Sequence, residues 1–160
     1  MMGVDPGTRY AGYGVLKTEK QKTFLVESGC LDVHKEKTLV KKIGRIYEFI
    51  TEKVKEHNAT HLAIETPFLY RNASTFLKLG YVRGILYLIA DQNELEISEF
   101  SPSEVKQGVT GYGKATKEQV AKVVLRLFHI KKPQRDDTTD AIAIALCGLW
   151  RVKSGPSGRN

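Results

Sequence analysis

The chain has 160 residues, enough for one domain with a single sizeable core, and its 41% hydrophobic and 27% charged content is that of an ordinary globular protein. Twenty-five Lys and Arg against 18 Asp and Glu leave a net charge of +7, which favours a polyanionic partner and also fits a merely soluble, basic protein. The two cysteines, Cys30 and Cys147, have neither zinc-ligand spacing nor a disulfide framework around them, which excludes a disulfide scaffold.

A reducing, cytoplasmic setting is expected, with both thiols as core filler. The opening Met1-Met2-Gly3-Val4-Asp5 lacks a signal-peptide pattern, and the longest apolar run, Ile85–Ala90, is far too short to cross a bilayer.

Taken in chain order, three β-like runs come first: Met1–Val4, Tyr10–Lys17 and Thr23–His34. Tyr13, Val15, Phe24, Val26, Cys30 and Val33 are strand formers, Gly7 and Gly12 punctuate, and the short spacings predict an antiparallel meander. Leu39, Ile43, Ile46, Tyr47, Ile50 and Val54 recur every three or four residues, which predicts a helix over Thr38–Glu56. His61–Glu65 reads as a short buried strand halted by Pro67, and Leu95–Phe100 as another. A helix over Ser74–Asp91 lies between them. Later helices are expected from Ser101, from Thr116 and from near Asp137; the first two open on the capping boxes Ser101-Pro102-Ser103-Glu104 and Thr116-Lys117-Glu118-Gln119. Strands first, then helix and strand in alternation, predict a single α/β domain over 1–153: a mixed five-stranded sheet flanked by helices. Residues 154–160 read as a flexible tail.

Four acids stand where chemistry could be built. Asp5 ends the first strand ahead of Pro6-Gly7, and Glu65 ends the fourth ahead of Thr66-Pro67. Neighbouring strands are about 4.8 Å apart, so two such ends can set carboxylates over one rim. Asp137 and Asp140, three apart at a helix start, project to one side. Gathered together, four anions repel, and a hard divalent cation resolves the conflict; Mg²⁺ takes carboxylates, water and phosphate oxygens. Two such ions about 3.5–4 Å apart serve phosphodiester hydrolysis. Each signal also has a plainer reading. Asp137 can be an N-cap with Asp140 a charge favoured by the helix dipole, and Asp5-Pro6-Gly7 can be only a turn.

The segments Gly3-Val4-Asp5-Pro6-Gly7-Thr8-Arg9 with Gly12-Tyr13-Gly14-Val15, Ala63-Ile64-Glu65 with Phe68, and Asp137-Thr138-Thr139-Asp140-Ala141 resemble the RuvC family of Holliday-junction resolvases, in order and spacing, from Met2 to about Trp150. The resemblance implies an RNase H-like fold, a homodimer, Mg²⁺ dependence (two ions per subunit, with Mn²⁺ able to substitute) and symmetric nicking of two opposed strands of a four-way DNA junction in recombination and repair. By position, Asp5, Glu65, Asp137 and Asp140 would be the catalytic metal ligands. Phe68 would stack on bases, Lys106 and Lys117 would lie near the phosphates, and the branch-migration proteins RuvA and RuvB would be partners. Only four residues precede Asp5, fewer than the family usually has, so the first strand is expected to be clipped.

A two-fold dimer would offer one site to each of two strands. The Ser74–Asp91 helix, apolar nearly all round with Gly80 and Gly84 four apart, suggests the contact, and is equally read as a central core helix. Arg71, Lys78 and Arg83 around that helix, and Lys114 in the Gly111-Tyr112-Gly113-Lys114 loop, suit phosphates, or form a solvated basic face. A two-lobed ATPase sharing the Asp5-Pro6-Gly7-Thr8 loop is excluded by length. An RNase H-like nuclease acting on RNA, of the pre-ribosomal-RNA processing type, and a non-catalytic junction-binding protein are the alternatives.

Overall fold

The alternation of side chains along the strands decides what each face of the sheet can accept. In the computed structural model, which describes residues 1–66, 73–131 and 135–155, the chain runs β1 (Met2–Asp5), β2 (Tyr10–Glu19), β3 (Lys22–Asp32), α1 (Leu39–Glu56), β4 (His61–Glu65), α2 (Ala73–Gln92), β5 (Glu96–Phe100), α3 (Pro102–Thr110), α4 (Lys117–Leu127) and α5 (Asp136–Lys153). The strands form one sheet in the order β3-β2-β1-β4-β5. The β1–β2 and β2–β3 pairs are antiparallel, and the β1–β4 and β4–β5 pairs are parallel. This is the mixed five-stranded sheet with flanking helices that the sequence predicts.

Met2 and Val4, Ala11, Tyr13 and Val15, and Leu62 and Ile64 share one face, where α1 and α2 cover them with Ile46, Ile50, Val54, Val82, Leu86 and Ile89. The in-between residues are small. Gly3, Gly12, Gly14 and Ala63 face α5, whose residues from Ala141 to Leu149 are all buried. A Cβ on Gly3 would lie 2.3 Å from the Ala141 carbonyl oxygen, and one on Gly12 would lie 1.9 Å from that of Asp137. Both glycines are therefore seats for a helix backbone. Gly12→Ala should force α5 off the sheet and cost ~1–3 kcal/mol, or roughly 2–12 °C of melting temperature in a thermal scan. Gly44→Ala on α1, where a Cβ meets nothing within 4 Å, should be neutral or slightly stabilising in the same scan.

The element ends show their local causes. Both capping boxes form, Ser101 with Glu104 and Thr116 with Gln119, and Thr38 caps α1. β3 stops at Asp32 rather than continuing to His34, because the Asp32 carboxylate accepts a hydrogen bond from the His34 amide at 2.8 Å and turns the chain. β2 runs on to Glu19, since Lys20 and Gln21 take positive φ (45° and 67°) in a two-residue hairpin turn. Cys147 is core, as expected, and burial pushes its thiol up to about 12; Cys30 is only half-buried.

Helix α2 departs from the expectation of burial on two sides. Within one chain Leu79, Val82, Leu86 and Ile89 are buried, while Phe76, Leu77, Tyr81 and Leu88 remain 41–56% exposed. Its start at Ala73 follows a segment, 67–72, outside the described residues. The tail expected from residue 154 follows the end of α5, and its residues 156–160 are likewise outside them. No helix among the described residues is long and apolar enough to cross a membrane.

Candidate active site

β1 and β4 are parallel neighbours with Val4 opposite Ile64, so their next residues, Asp5 and Glu65, stand side by side at one rim of the sheet. Alternation sends both toward the face occupied by α5, since Gly3 and Ala63 already point there. The N-terminal end of α5, brought in by the glycine seats, supplies Asp137 from its first turn and Asp140 from its second. All four carboxylates line one cleft of about 500 Å³, together with Lys106 from α3 and Lys117 from α4. The N-cap of α5 is Arg135, so Asp137 lies in the first turn, where the dipole favours it, and is not the cap.

The crowding is visible in proton affinity. Asp5 is pushed up to about 7, chiefly by burial and then by the charges of Asp140, Glu65 and Asp137, with Lys117 pulling the other way. Burial and Asp140 also raise Glu65, against Lys117 and Lys106. Part of the excess charge is matched by the protein. Lys117 Nζ lies 3.0 Å from Asp140 Oδ2, which raises the lysine's own pKa. Arg135 Nε lies 3.6 Å from Asp137 Oδ2, with its guanidinium 3.7 Å from the Tyr10 ring centroid. The remaining deficit is of the kind that a hard cation fills: carboxylate oxygens, with no thiolate or imidazole among the described residues lining the cleft.

A second acidic group lies elsewhere. Glu27, Glu56 and His57, where β3 meets the end of α1, have ligand atoms within 4.8 Å of one another. Lys53 sits among them, 2.8 Å from each glutamate, and His57 Nε2 is 2.6 Å from Glu27. Lys53 and then Tyr13, by hydrogen bonding, hold Glu27 well below the usual carboxylate range, so this cluster is an internally matched clasp.

Of the other expected site residues, Lys114 and Lys78 are exposed, on the loop before α4 and on α2, and neither lines the cleft. Phe68 and Arg71 lie outside the described residues. Arg83, expected beside the helix as a phosphate contact, instead points inward. Its side chain is 13% exposed and is paired with Glu99 at 2.5 Å. Arg135 and Tyr10, which stand beside Asp137, carry no local sequence pattern that would single them out.

The mixed sheet, the helices on its faces and the carboxylate-lined cleft at the β1–β4 rim define an RNase H-like nuclease. A family model described as crossover junction endodeoxyribonuclease RuvC matches residues 1–148, and the chain belongs to that family. It is 37% identical over 147 residues to the RuvC of Legionella pneumophila (strain Lens), covering 92% of this chain and 84% of that protein. It is 40% identical over 152 residues to the RuvC of Pelodictyon phaeoclathratiforme, covering 94% and 80%. The structure of Thermus thermophilus RuvC in complex with Holliday junction substrate superimposes with a TM-score of 0.88 at 28% identity, covering 96% of this chain and 94% of that one.

Proposed function

We propose that the protein resolves four-way DNA junctions by divalent-metal-dependent, symmetric nicking of two opposed strands. The observation that supports this most directly is the shared cleft of Asp5, Glu65, Asp137 and Asp140, rimmed by Lys106 and Lys117. In this reading the four carboxylates hold Mg²⁺, two ions per subunit, with Mn²⁺ able to substitute. Bound there, the metal would supply Lewis-acid activation of water and charge stabilisation at the phosphodiester. The protein's own share is placement. The strands and α5 fix the carboxylates, Lys106 meets an incoming phosphate, and Lys117 exchanges Asp140 for a phosphate oxygen as the junction arrives. Lys114 and Lys78 extend the basic surface. The roles of Phe68 in base stacking and of Arg71 in phosphate contact rest on the sequence resemblance. A cytoplasmic setting and cooperation with RuvA and RuvB belong to the same proposal.

The test is cutting of end-labelled four-way junction, plain duplex and RNA duplex side by side. Paired nicks at symmetric positions in the junction are expected. Preference for RNA would favour the RNA-processing alternative, and binding without nicking would favour the non-catalytic one.

Two sites acting on two strands call for a two-fold dimer, and α2 is its proposed surface. Leu77, Tyr81 and Leu88 form an exposed stripe that passes over Gly84. A Cβ on Gly80 or Gly84 meets nothing within 4 Å in the single chain. Glycine inside a helix costs ~1 kcal/mol against alanine, a cost with a purpose if a second backbone comes close there. Gly84→Leu should weaken self-association roughly 5- to 150-fold, from ~1–3 kcal/mol of overpacking. Sedimentation equilibrium reads this directly, and a wild type that is monomeric at micromolar concentration would refute the interface.

A further inference from the structure

Strand β4 uses alternate residues on its two sides. The Thr66 amide donates to the Phe100 carbonyl at 2.8 Å, and the Thr60 carbonyl accepts from the Glu96 amide at 3.1 Å. Even-numbered backbone groups of β4 therefore serve β5, and odd-numbered ones serve β1. With Val4 opposite Ile64, the amide that would reach the Glu65 carbonyl is that of residue 6. That residue is Pro6, which has no N–H. The ladder thus runs out of donors at the residue that bears a proposed metal ligand.

Arg83 fills the gap from the other direction. Its Nη1 donates to the Glu65 carbonyl oxygen at 3.2 Å. Its Nη2 donates to Glu99 Oε1 at 2.5 Å and to the Tyr87 hydroxyl at 3.0 Å, and Tyr87 in turn donates to Glu99. Glu99 matches the guanidinium's charge, so the group is built to brace and adds little free positive charge to the rim.

We propose that Arg83 is a positioning residue for Glu65: its guanidinium replaces the ladder hydrogen bond that Pro6 cannot make, and Glu99 and Tyr87 hold it in place. This rests on the reading of the cleft as a metal-dependent nuclease site. Arg83 and Glu99 come from α2 and β5, outside the four-carboxylate set, and act on it only through the end of β4.

The test uses full-length Arg83→Met, Glu99→Gln, Pro6→Ala and the Arg83→Met/Pro6→Ala double variant. Three quantities are read: single-turnover nicking at saturating junction, junction affinity in Ca²⁺, and Mn²⁺ binding to the free protein by calorimetry. Arg83→Met should slow nicking and weaken Mn²⁺ binding by about 10- to 100-fold, the usual cost of losing a group that orients a metal ligand, while junction affinity stays unchanged. Glu99→Gln keeps the packing and should show the same split more weakly, which carries the test if Arg83→Met does not fold. Pro6→Ala returns an N–H opposite the Glu65 carbonyl and should restore much of the Mn²⁺ affinity in the double variant. Junction affinity falling in step with nicking would make Arg83 a DNA contact and overturn the proposal, as would unchanged Mn²⁺ binding in the folded single variants. If the wild type nicks no junction while Arg83→Met still weakens Mn²⁺ binding, the nuclease reading fails and the positioning role stands.

Discussion

Asp140→Asn should reduce junction nicking on the order of 10³-fold, the rate equivalent of ~4 kcal/mol of lost metal-based stabilisation, while leaving junction affinity intact or slightly improved. The substitution preserves side-chain size and removes one of four crowded charges. It also breaks the 3.0 Å pair with Lys117, freeing that lysine for a phosphate. Asp5 and Glu65, both raised in part by Asp140, become easier to ionise. The loss should therefore lie in chemistry and not in folding or binding. Asp136→Asn is the matched control: Asp136 lies one turn earlier on α5, is exposed and does not line the cleft, and its loss should leave nicking unchanged. Single-turnover cutting and anisotropy titration in Ca²⁺ separate the two quantities. Loss of binding by a folded Asp140→Asn protein would remove Asp140 from the proposed ligand set.

The second large effect is a coupled dependence on pH and metal. In the folded chain Asp5 keeps its proton up to about pH 7, against an ordinary value of 3.8. Between those limits the folded state holds a proton that the unfolded state has released. Metal-free stability should thus be greatest at the acid end of this window and be lost as pH rises toward 7, at on the order of 1 kcal/mol per pH unit. Glu27, held low by its clasp, works in the opposite sense, with its contribution lost as pH falls through and below the ordinary carboxylate range, so the clean window lies above about pH 5. A metal ion replaces the proton. Mg²⁺ should raise the melting temperature at pH 8 and do little at pH 5.5, and nicking at limiting Mg²⁺ should fall about tenfold per pH unit below about 7. Equal stabilisation by Mg²⁺ at both pH values, or full nicking in excess chelator, would contradict the assignment of Asp5 as a ligand.

Periodicity and capping chemistry made the elements legible, because a helix such as α1 or a strand such as β4 is specified by residues near one another. The acid-bearing strand ends were legible for the same reason: Asp5 before Pro6 and Glu65 before Thr66-Pro67 announce both a stop and a charge. What no local pattern discloses is a contact made across the sheet. Gly12 reads as turn punctuation, and Gly3 as one more residue of a strand, until α5 is laid against them. Arg83 reads as one more surface cation on a helix until Glu99, sixteen residues away, and the bare Glu65 carbonyl are found in front of it. The apolar circumference of α2 is plain in the sequence, but which half of it faces the sheet depends on the placement of β4 and β5.

The seating of α5 across β1, β2 and β4 also bears on biosynthesis. Ribosomes make the sheet first, and Asp5 and Glu65 exist well before Asp137 and Asp140 are added. Until α5 has left the exit tunnel, the glycine-lined side of the sheet has no cover and the cleft has only half of its acids. If the four carboxylates hold the catalytic metal as proposed, a nascent chain would lack junction-cutting activity and gain it only when its last helix docks.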